Sequence, residues 1–153
     1  MQKLALISVS DKTNVVDFAK RLNQKGYKVI ATGGTAKLLL ENDIDCVKIE
    51  NYAPFPEVFS GRVKTLQPQV FGGILMRREN DSDIKEAEEN EINPIDIVCV
   101  NLYPFPKVVK DENTSLEDKI ENIDIGGPSL IRAAAKNFKD VSVLTNPSQI
   151  GRA

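Results

Sequence analysis

Alternation of short apolar runs with helical patterns is the feature of this chain that most constrains its fold. Leu4 to Ile7 form a continuous apolar run, and apolar residues then recur at helical spacing from Val15 to Leu22. The same pattern predicts strands at 4–9, 27–31 and 46–49, with helices over 15–22 and 36–40. Strands that alternate with helices through short polar turns form parallel sheets with helices on both faces. We therefore predict an α/β fold with a doubly wound, mainly parallel sheet.

The second half of the chain continues this order after an irregular stretch. Residues 51–80 are rich in Pro and Gly, and we expect them to form an excursion over the edge of the sheet. Beyond them the pattern predicts a charged helix at 81–91, a buried strand at 95–100, a short helix at 115–122, a helix at 128–137 and a last strand at 141–144. The sequence has no internal repeat and no linker, so we expect one domain over 1–153.

Charge and composition exclude several classes of function. Twenty basic and 22 acidic residues give a formal net charge of −2, which provides no long-range field for nucleic acid or an anionic membrane. Cys46 and Cys99 lie in apolar runs without a CxxC or Cys/His pattern, so we predict core cysteines and no metal site. The sequence shows neither a signal peptide nor an apolar stretch of membrane-spanning length. We expect a cytoplasmic protein without a cofactor.

Two loops that follow the first two predicted strands have the composition of a phosphate site. SVSDKT offers the hydroxyls of Ser8, Ser10 and Thr13 and the cation of Lys12 at the start of a helix, where free N–H groups favour an anion. TGGT offers Thr32 and Thr35 beside Gly33 and Gly34, which let the backbone approach a ligand closely. Each loop alone is as well explained by structure, since Ser10 or Asp11 is a good N-cap and Gly-Gly is a common turn. Together they favour one shared phosphate pocket.

Three further segments carry groups that could transfer protons in a chain with no histidine. RVKT (62–65) holds two cations and a hydroxyl, although an isolated Arg-x-Lys is more often plain surface charge. NLYPF follows the predicted strand 95–100 and places Asn101 and Tyr103 at its carboxyl end, where Tyr103 could also be a core aromatic. In IDIGGPSL, Asp124 precedes a helix start and could instead be a cap or an ion-pair partner of Arg132. Lys136 has the weakest local case, and its sequence context alone indicates a surface residue.

These segments resemble a known family. SVSDKT, ATGGTA, GRVKTLQP, GGIL, NLYPF and IDIGGPSLIRAAAKN, in this order and spacing, are similar to the inosine monophosphate (IMP) cyclohydrolase domain of the bifunctional AICAR formyltransferase/IMP cyclohydrolase of purine biosynthesis. The resemblance covers nearly all of 1–146. It implies a methylglyoxal-synthase-like fold and closure of the six-membered ring of formyl-AICAR to give IMP and water. The implied partner is a purine nucleotide, without nucleic acid, membrane or metal, and the resemblance allows a homodimer.

The resemblance also implies site residues. The implied catalytic group is Lys64, Tyr103, Asp124 and Lys136, with Lys136 as proton donor and acceptor. The implied nucleotide contacts are Ser10, Lys12, Thr13, Thr32, Gly33, Gly34, Thr35, Arg62, Val63, Thr65, Val100, Asn101, Ile125 and Gly126. We expect the phosphate to lie between loops 10–13 and 32–35, and Asp124 and Lys136 to project into the same cleft as Tyr103. Lys136 could do so only if its side chain extends back along the helix or the helix lies across the site.

The chain departs from the family pattern in two ways. The family usually has histidines where this chain has Gln67 and Phe71, neither of which titrates near neutral pH. The family's cyclohydrolase domain also continues past the point where this chain stops and leads into a formyltransferase domain, so we expect a domain that is truncated at its C-terminus. Two alternatives stay open. One is a methylglyoxal synthase-like lyase, which relies on histidine, and the other is a regulatory domain that senses a nucleotide without chemistry.

Overall fold

A five-stranded parallel sheet forms the centre of the molecule, in a computed structural model that describes residues 2–150. The strands are β1 (Lys3–Val9), β2 (Tyr27–Ala31), β3 (Val47–Lys48), β4 (Ile97–Asn101) and β5 (Ser142–Leu144). Their order is β3-β2-β1-β4-β5, and the four pairings are parallel. In the central register Leu6 lies beside Ile30 on one side and Val98 on the other. The predicted doubly wound α/β fold is confirmed.

Helices cover both faces of this sheet. They are α1 (Val15–Gln24), α2 (Gly33–Glu41), α3 (Ile49–Tyr52), α4 (Pro68–Leu75), α5 (Asp81–Glu89), α6 (Phe105–Lys110), α7 (Leu116–Glu121), α8 (Gly126–Lys136) and α9 (Pro147–Ile150). Among residues 2–150, the structure has no helix with the length and apolarity that a membrane span requires.

Side-chain alternation along β1 divides the core into two layers. Ala5, Ile7 and Val9 face a cluster that includes the buried residues of α1 and α2, whereas Leu4 and Leu6 face a cluster that includes those of α4 and α8. Because successive side chains of a strand point to opposite faces, a strand buried on both sides has a continuous apolar run. The run Leu4 to Ile7 is therefore explained by burial on both faces of the sheet.

The strand order also fixes where a ligand can bind. From β1 the chain first winds outward through β2 to β3, then returns to the other side of β1 to form β4 and β5. Connections on the two sides therefore leave in opposite directions, which opens a crevice between the carboxyl ends of β1 and β4. Open α/β sheets bind ligands at this kind of crevice.

Several elements differ from the predicted ones. The excursion 51–80 contains a regular helix, α4, and three other short helices (α3, α6 and α9) were not predicted. The final long helix α8 begins at Gly126, two residues before the predicted start at Pro128. The strand predicted at 46–49 is shorter, because Ile49 already belongs to α3.

Candidate functional site

A cleft of about 670 Å³ lies at the carboxyl ends of the central strands. It is bordered by the loops after β1, β2 and β4, by the segment 60–66 and by the start of α8. Fifteen of the eighteen predicted site residues line it: Ser10, Lys12, Thr32, Gly33, Gly34, Thr35, Arg62, Lys64, Thr65, Val100, Asn101, Tyr103, Asp124, Ile125 and Gly126. Thr13, Val63 and Lys136 are not among the lining residues.

The loop after β1 is held in place by the side chain of Asn101 at the end of β4. Its Oδ1 accepts hydrogen bonds from the backbone N–H groups of Ser10 at 2.6 Å and Asp11 at 2.8 Å, and its Nδ2 donates to the carbonyl of Asp11 at 2.9 Å. These contacts join two strands that are neighbours in the sheet. Asn101 therefore shapes the loop that was predicted to bind phosphate.

Lys12 and Thr13 have different positions within this loop. The ammonium of Lys12 donates to the carbonyl of Val9 and lines the cleft, and partial burial lowers the pKa of Lys12. The hydroxyl of Thr13 instead donates to Oδ1 of Asp11 at 2.6 Å, on the exposed side of the loop. Lys12 can therefore reach an anion in the cleft, whereas the side chain of Thr13 stabilises the turn through its bond to Asp11.

The TGGT loop forms the first turn of α2. Thr32 is the N-cap, and Gly33 follows with a φ of 38°, in the left-handed region that favours glycine. The hydroxyl of Thr35 is buried and bonds the backbone of Val9, at 3.2 Å as donor and 3.3 Å as acceptor. The first N–H groups of a helix have no acceptor within it, so those of Gly33 and Gly34 can donate to a ligand.

The segment that carries Arg62 is a tight loop closed by a bridge between Val58 and Val63. Phe59, Ser60 and Gly61 all have positive φ angles. Arg62 forms a bidentate ion pair with Glu121 of α7, in which Nε lies 3.2 Å from Oε2. Hydrogen bonding to Arg62 lowers the pKa of Glu121. This pair closes one side of the cleft. Val63, whose backbone forms this bridge, does not line the cleft.

Lys64 lies beside the first turn of α2. A methyl group built on Gly33 would lie 3.9 Å from the Lys64 ammonium, and one on Gly61 would lie 3.3 Å from it. The ammonium also pairs with Oε2 of Glu57 at 3.7 Å. Lys64 is thus a partly shielded cation within the cleft, next to the helix N-terminus that attracts anions.

Asp124 caps the start of α8. Its Oδ1 accepts a hydrogen bond from the backbone N–H of Gly127 at 2.8 Å, and no salt bridge to Arg132 occurs in the part of the chain that the structure describes. A side chain at Gly127 would come within 2.5 Å of Oδ2 of Asp124. Tyr103 lies at the rim with 54% of its surface exposed, so the core interpretation of this aromatic is wrong. Asp124 and Tyr103 border one cleft, as predicted.

Lys136 does not join them, which corrects the expectation that it projects into the cleft. It is exposed and lies in the last turn of α8, ten residues after Gly126 and so about 15 Å along the helix axis. The buried face of α8 carries Leu130, Ala133 and Ala134, and Lys136 is on the opposite face. Lys136 therefore does not border the cleft in the single chain.

The cleft has lining residues beyond the predicted site residues. These residues are Ser8, Val9, Ser60, Gly61, Leu66, Ile120, Glu121, Ile123, Gly127 and Leu130. Ser8 was considered as a hydroxyl donor, and its Oγ lies 2.7 Å from Oγ1 of Thr32. Glu121 belongs to a charged helix whose sequence gives no sign that it packs beside the segment 60–66. Within residues 2–150, no three His, Cys, Asp or Glu side chains form a group that could hold a metal ion.

Comparison with known proteins finds an MGS-like domain and, as relatives, bifunctional purine biosynthesis proteins. The family model for the MGS-like domain matches residues 14–129. The chain is 56% identical over 147 residues to the bifunctional purine biosynthesis protein PurH of Thermoanaerobacter sp. (strain X514), covering 96% of this chain and 29% of the relative. It is 50% identical over 152 residues to PurH of Oceanobacillus iheyensis, covering 99% of this chain and 30% of the relative. It therefore spans less than a third of these curated relatives, in their N-terminal part.

A solved structure shows the same fold. The crystal structure of ForH aligns with a TM-score of 0.87 and 38% sequence identity, over 99% of this chain and 77% of that chain. The PurH relatives confirm the resemblance that was drawn from the sequence motifs.

Proposed function

Because the chain belongs to the MGS-like domain family, we propose that its cleft closes the purine ring of formyl-AICAR to give IMP and water. The observation that carries this proposal is that two phosphate-type loops and three of the four groups implied in catalysis border one cleft. The bifunctional purine biosynthesis proteins among the relatives support the same reaction. They do not favour the sensor or the methylglyoxal synthase alternative.

The phosphate of the nucleotide would bind between loops 10–13 and 32–35. The N–H groups of Gly33 and Gly34 and the ammonium of Lys12 supply donors on two sides of that space. With the phosphate held there, the base would extend toward Tyr103 and Asp124 at the far side of the cleft. This anchoring supports catalysis by holding the reacting atoms in place.

Ring closure joins the carboxamide nitrogen to the formyl carbon of the substrate. In the proposed mechanism Asp124 orients the amide or accepts its proton, and Lys64 stabilises the negative charge that develops on the formyl oxygen. Tyr103 then takes part in the proton transfers by which that oxygen leaves as water. Lys136 has no role in this mechanism, since the single chain does not bring it to the cleft.

The absence of histidine fits this assignment of roles. Gln67 is buried beside Lys64, and Phe71 packs against the core layer that includes the buried residues of α4. Neither side chain lines the cleft. The proposed mechanism therefore uses a carboxylate and a phenol for proton transfer and an ammonium for charge stabilisation, and it does not need an imidazole.

The test is conversion of formyl-AICAR to IMP, followed by the change in ultraviolet absorbance. The wild-type chain should form IMP. Asp124→Asn keeps an oxygen for the N–H of Gly127 but removes the charge and the basicity, so it should lower kcat by about a hundredfold with little change in thermal stability. Asp17→Asn, an exposed aspartate on α1, is the control. A wild-type chain that forms no IMP would overturn the proposal, and a fully active Asp124→Asn variant would limit Asp124 to capping.

Several broader expectations stay predictions beside this one. They are a single cyclohydrolase domain over 1–153, cytoplasmic localisation, a homodimer and a formyltransferase activity in the same full-length protein. Among them, the bifunctional names of the PurH relatives support the last.

A further inference from the structure

We propose that Gln67 is a positioning residue, which fixes Lys64 in the cleft through hydrogen bonds from its buried side-chain amide. This inference rests on the proposed function, because its effect is measured on the same reaction. It concerns a residue that does not line the cleft and therefore acts through Lys64.

The side chain of Gln67 joins three backbone groups. Its Nε2 donates to the carbonyl of Lys64 at 2.6 Å and to the carbonyl of Phe55 at 3.0 Å, and its Oε1 accepts from the N–H of Phe55 at 3.1 Å. Gln67 is only 4% exposed. Both amide hydrogens and one oxygen lone pair are therefore used. A side chain without these groups would leave the partly buried carbonyls of Lys64 and Phe55 without their donor.

The position of Gln67 in the chain shows that these bonds are not ordinary helix capping. Gln67 is the N-cap residue of α4, where a side chain commonly accepts a hydrogen bond from the first turn. Its side chain makes no such bond and turns back toward the preceding loop. The first helical residue is Pro68, which has no N–H, so the helix loses little by this arrangement.

Besides the Gln67 amide, the ion pair of Arg62 with Glu121 attaches this segment to the rest of the chain. Between Phe55 and Lys64 the chain turns through Phe59 and Ser60, two non-glycine residues with a φ of 55°. Such left-handed residues are costly and persist only when surrounding contacts hold them. The bridge between Val58 and Val63 closes the turn, and the Gln67 amide ties its two ends together.

By holding both ends of the segment 55–64, Gln67 also fixes the distance between the Lys64 ammonium and its carboxylate partner. Glu57, two residues after the pinned Phe55, places Oε2 at 3.7 Å from the Lys64 ammonium. Gln67 thus holds the backbone of Lys64 directly. It also holds the segment that carries Glu57, the counter-ion of Lys64. Loss of the amide should let both charges move, which lowers the rate of the chemical step more than the affinity for the phosphate end of the substrate.

The experiment measures kcat and KM for formyl-AICAR in Gln67→Met and Gln67→His variants, each alone and combined with Lys64→Ala. Methionine is close to glutamine in shape but forms no amide hydrogen bonds, and histidine can donate one. We expect Gln67→Met to lower kcat about tenfold with KM changed less than threefold, and Gln67→His to keep a higher kcat than Gln67→Met. The matched control is Gln69→Met, whose glutamine makes no side-chain hydrogen bond within residues 2–150.

The double variant decides between positioning and general stability. If Gln67 acts through Lys64, adding Gln67→Met to Lys64→Ala should lower kcat by less than about twofold further. Rates are measured below the unfolding midpoint of each variant, and Gln67→His serves if Gln67→Met does not fold. A full tenfold loss in the Lys64→Ala background, or an unchanged kcat in Gln67→Met, would overturn the inference while the wild type still forms IMP. An inactive wild type would overturn the proposed function itself.

Discussion

At the scale of single residues, side-chain amides hold the loops that surround the cleft. Asn101 bonds the backbone of Ser10 and Asp11, as Gln67 bonds that of Phe55 and Lys64. An amide can donate and accept at once, so one side chain can fasten backbone N–H and carbonyl groups together. The loops therefore keep their shape without titratable side chains at these positions.

We expect Asn101→Leu to weaken IMP binding about tenfold or more, because the loop 10–13 loses three hydrogen bonds from β4. Isothermal titration with IMP measures this change. The control is Asn51→Leu, on the exposed part of α3. An unchanged affinity in Asn101→Leu would show that the loop keeps its shape without this side chain.

Lys64→Ala should lower kcat for ring closure by about a hundredfold and change KM much less, because in the proposed mechanism Lys64 stabilises charge that develops in the transition state. Steady-state kinetics separate the two effects. The alternative role for Lys64, binding of the phosphate, is suggested by the position of its ammonium beside Gly33. If Lys64→Ala raises KM and leaves kcat intact, Lys64 binds the phosphate rather than the reacting atoms.

The sequence predicted most of the polar residues that line the cleft and could not predict their contacts. Hydroxyls, glycines and lysines after strands identified both loops, since the carboxyl ends of parallel strands meet at one edge. The sequence did not indicate that the hydroxyls of Thr13 and Thr35, which were predicted to contact a ligand, bond Asp11 and Val9. Such choices depend on distances of a few ångströms across separate segments, which residue types alone do not determine.

At the scale of elements, helix α8 shows what periodicity could and could not provide. Its existence was predicted correctly, and its buried face follows Leu130, Ala133, Ala134 and Asn137. The same spacing places Lys136 on the opposite face, which a helical projection of the sequence would have shown. The helix α4 was missed because the segment 51–80, which includes Gly72-Gly73, is rich in Pro and Gly. A side chain at Gly73 would come within 2.4 Å of the carbonyl of Asn93, so glycine is needed there for close packing.

Asn137 connects the ends of two helices. Its Nδ2 donates to the carbonyls of Ile74 and Met76, each at 2.9 Å, and the residue is 9% exposed. Asn137→Ala should lower the free energy of unfolding by about 1–3 kcal/mol, because both carbonyls lose their donor. Urea denaturation measures this loss, and Asn90→Ala, at an exposed position with one similar bond, is the control. Equal losses in the two variants would contradict the prediction.

The start of α5 should make stability depend on pH in the acid range. Hydrogen bonds from the side chain and backbone of Arg77 lower the pKa of Asp83 to about 2 from 3.8. The folded state therefore favours the carboxylate, and this contribution is present above pH 3.8 and lost as the pH falls through about 2. Asp83→Asn should unfold at a lower temperature than the wild type at pH 7, with a difference that shrinks between pH 4 and pH 2. Asp81→Asn, in the same helical turn, is the control. A difference that is constant with pH would contradict this account.

At the scale of the whole molecule, the strand order explains why the site residues meet. Residues that are distant in sequence, such as Lys12, Lys64 and Asp124, border one cleft. They can do so because β1 and β4 are neighbours at the point where the winding direction of the chain reverses. Alternation of strands and helices was sufficient to predict the parallel sheet. It could not predict that the segment 60–66 borders the cleft, since the path of the chain there depends on the bridge at Val58 and on the amide of Gln67.

The central claim is that this cleft binds a purine nucleotide with its phosphate between the loops after β1 and β2. A crystal structure of the chain with IMP tests it most directly. We predict that phosphate oxygens lie within hydrogen-bond distance, about 2.7–3.2 Å, of the N–H groups of Gly33 and Gly34, with the Lys12 ammonium close by. The base should lie beside Tyr103 and Asp124. IMP bound elsewhere, or bound in the cleft with its phosphate beyond reach of both loops, would contradict the claim.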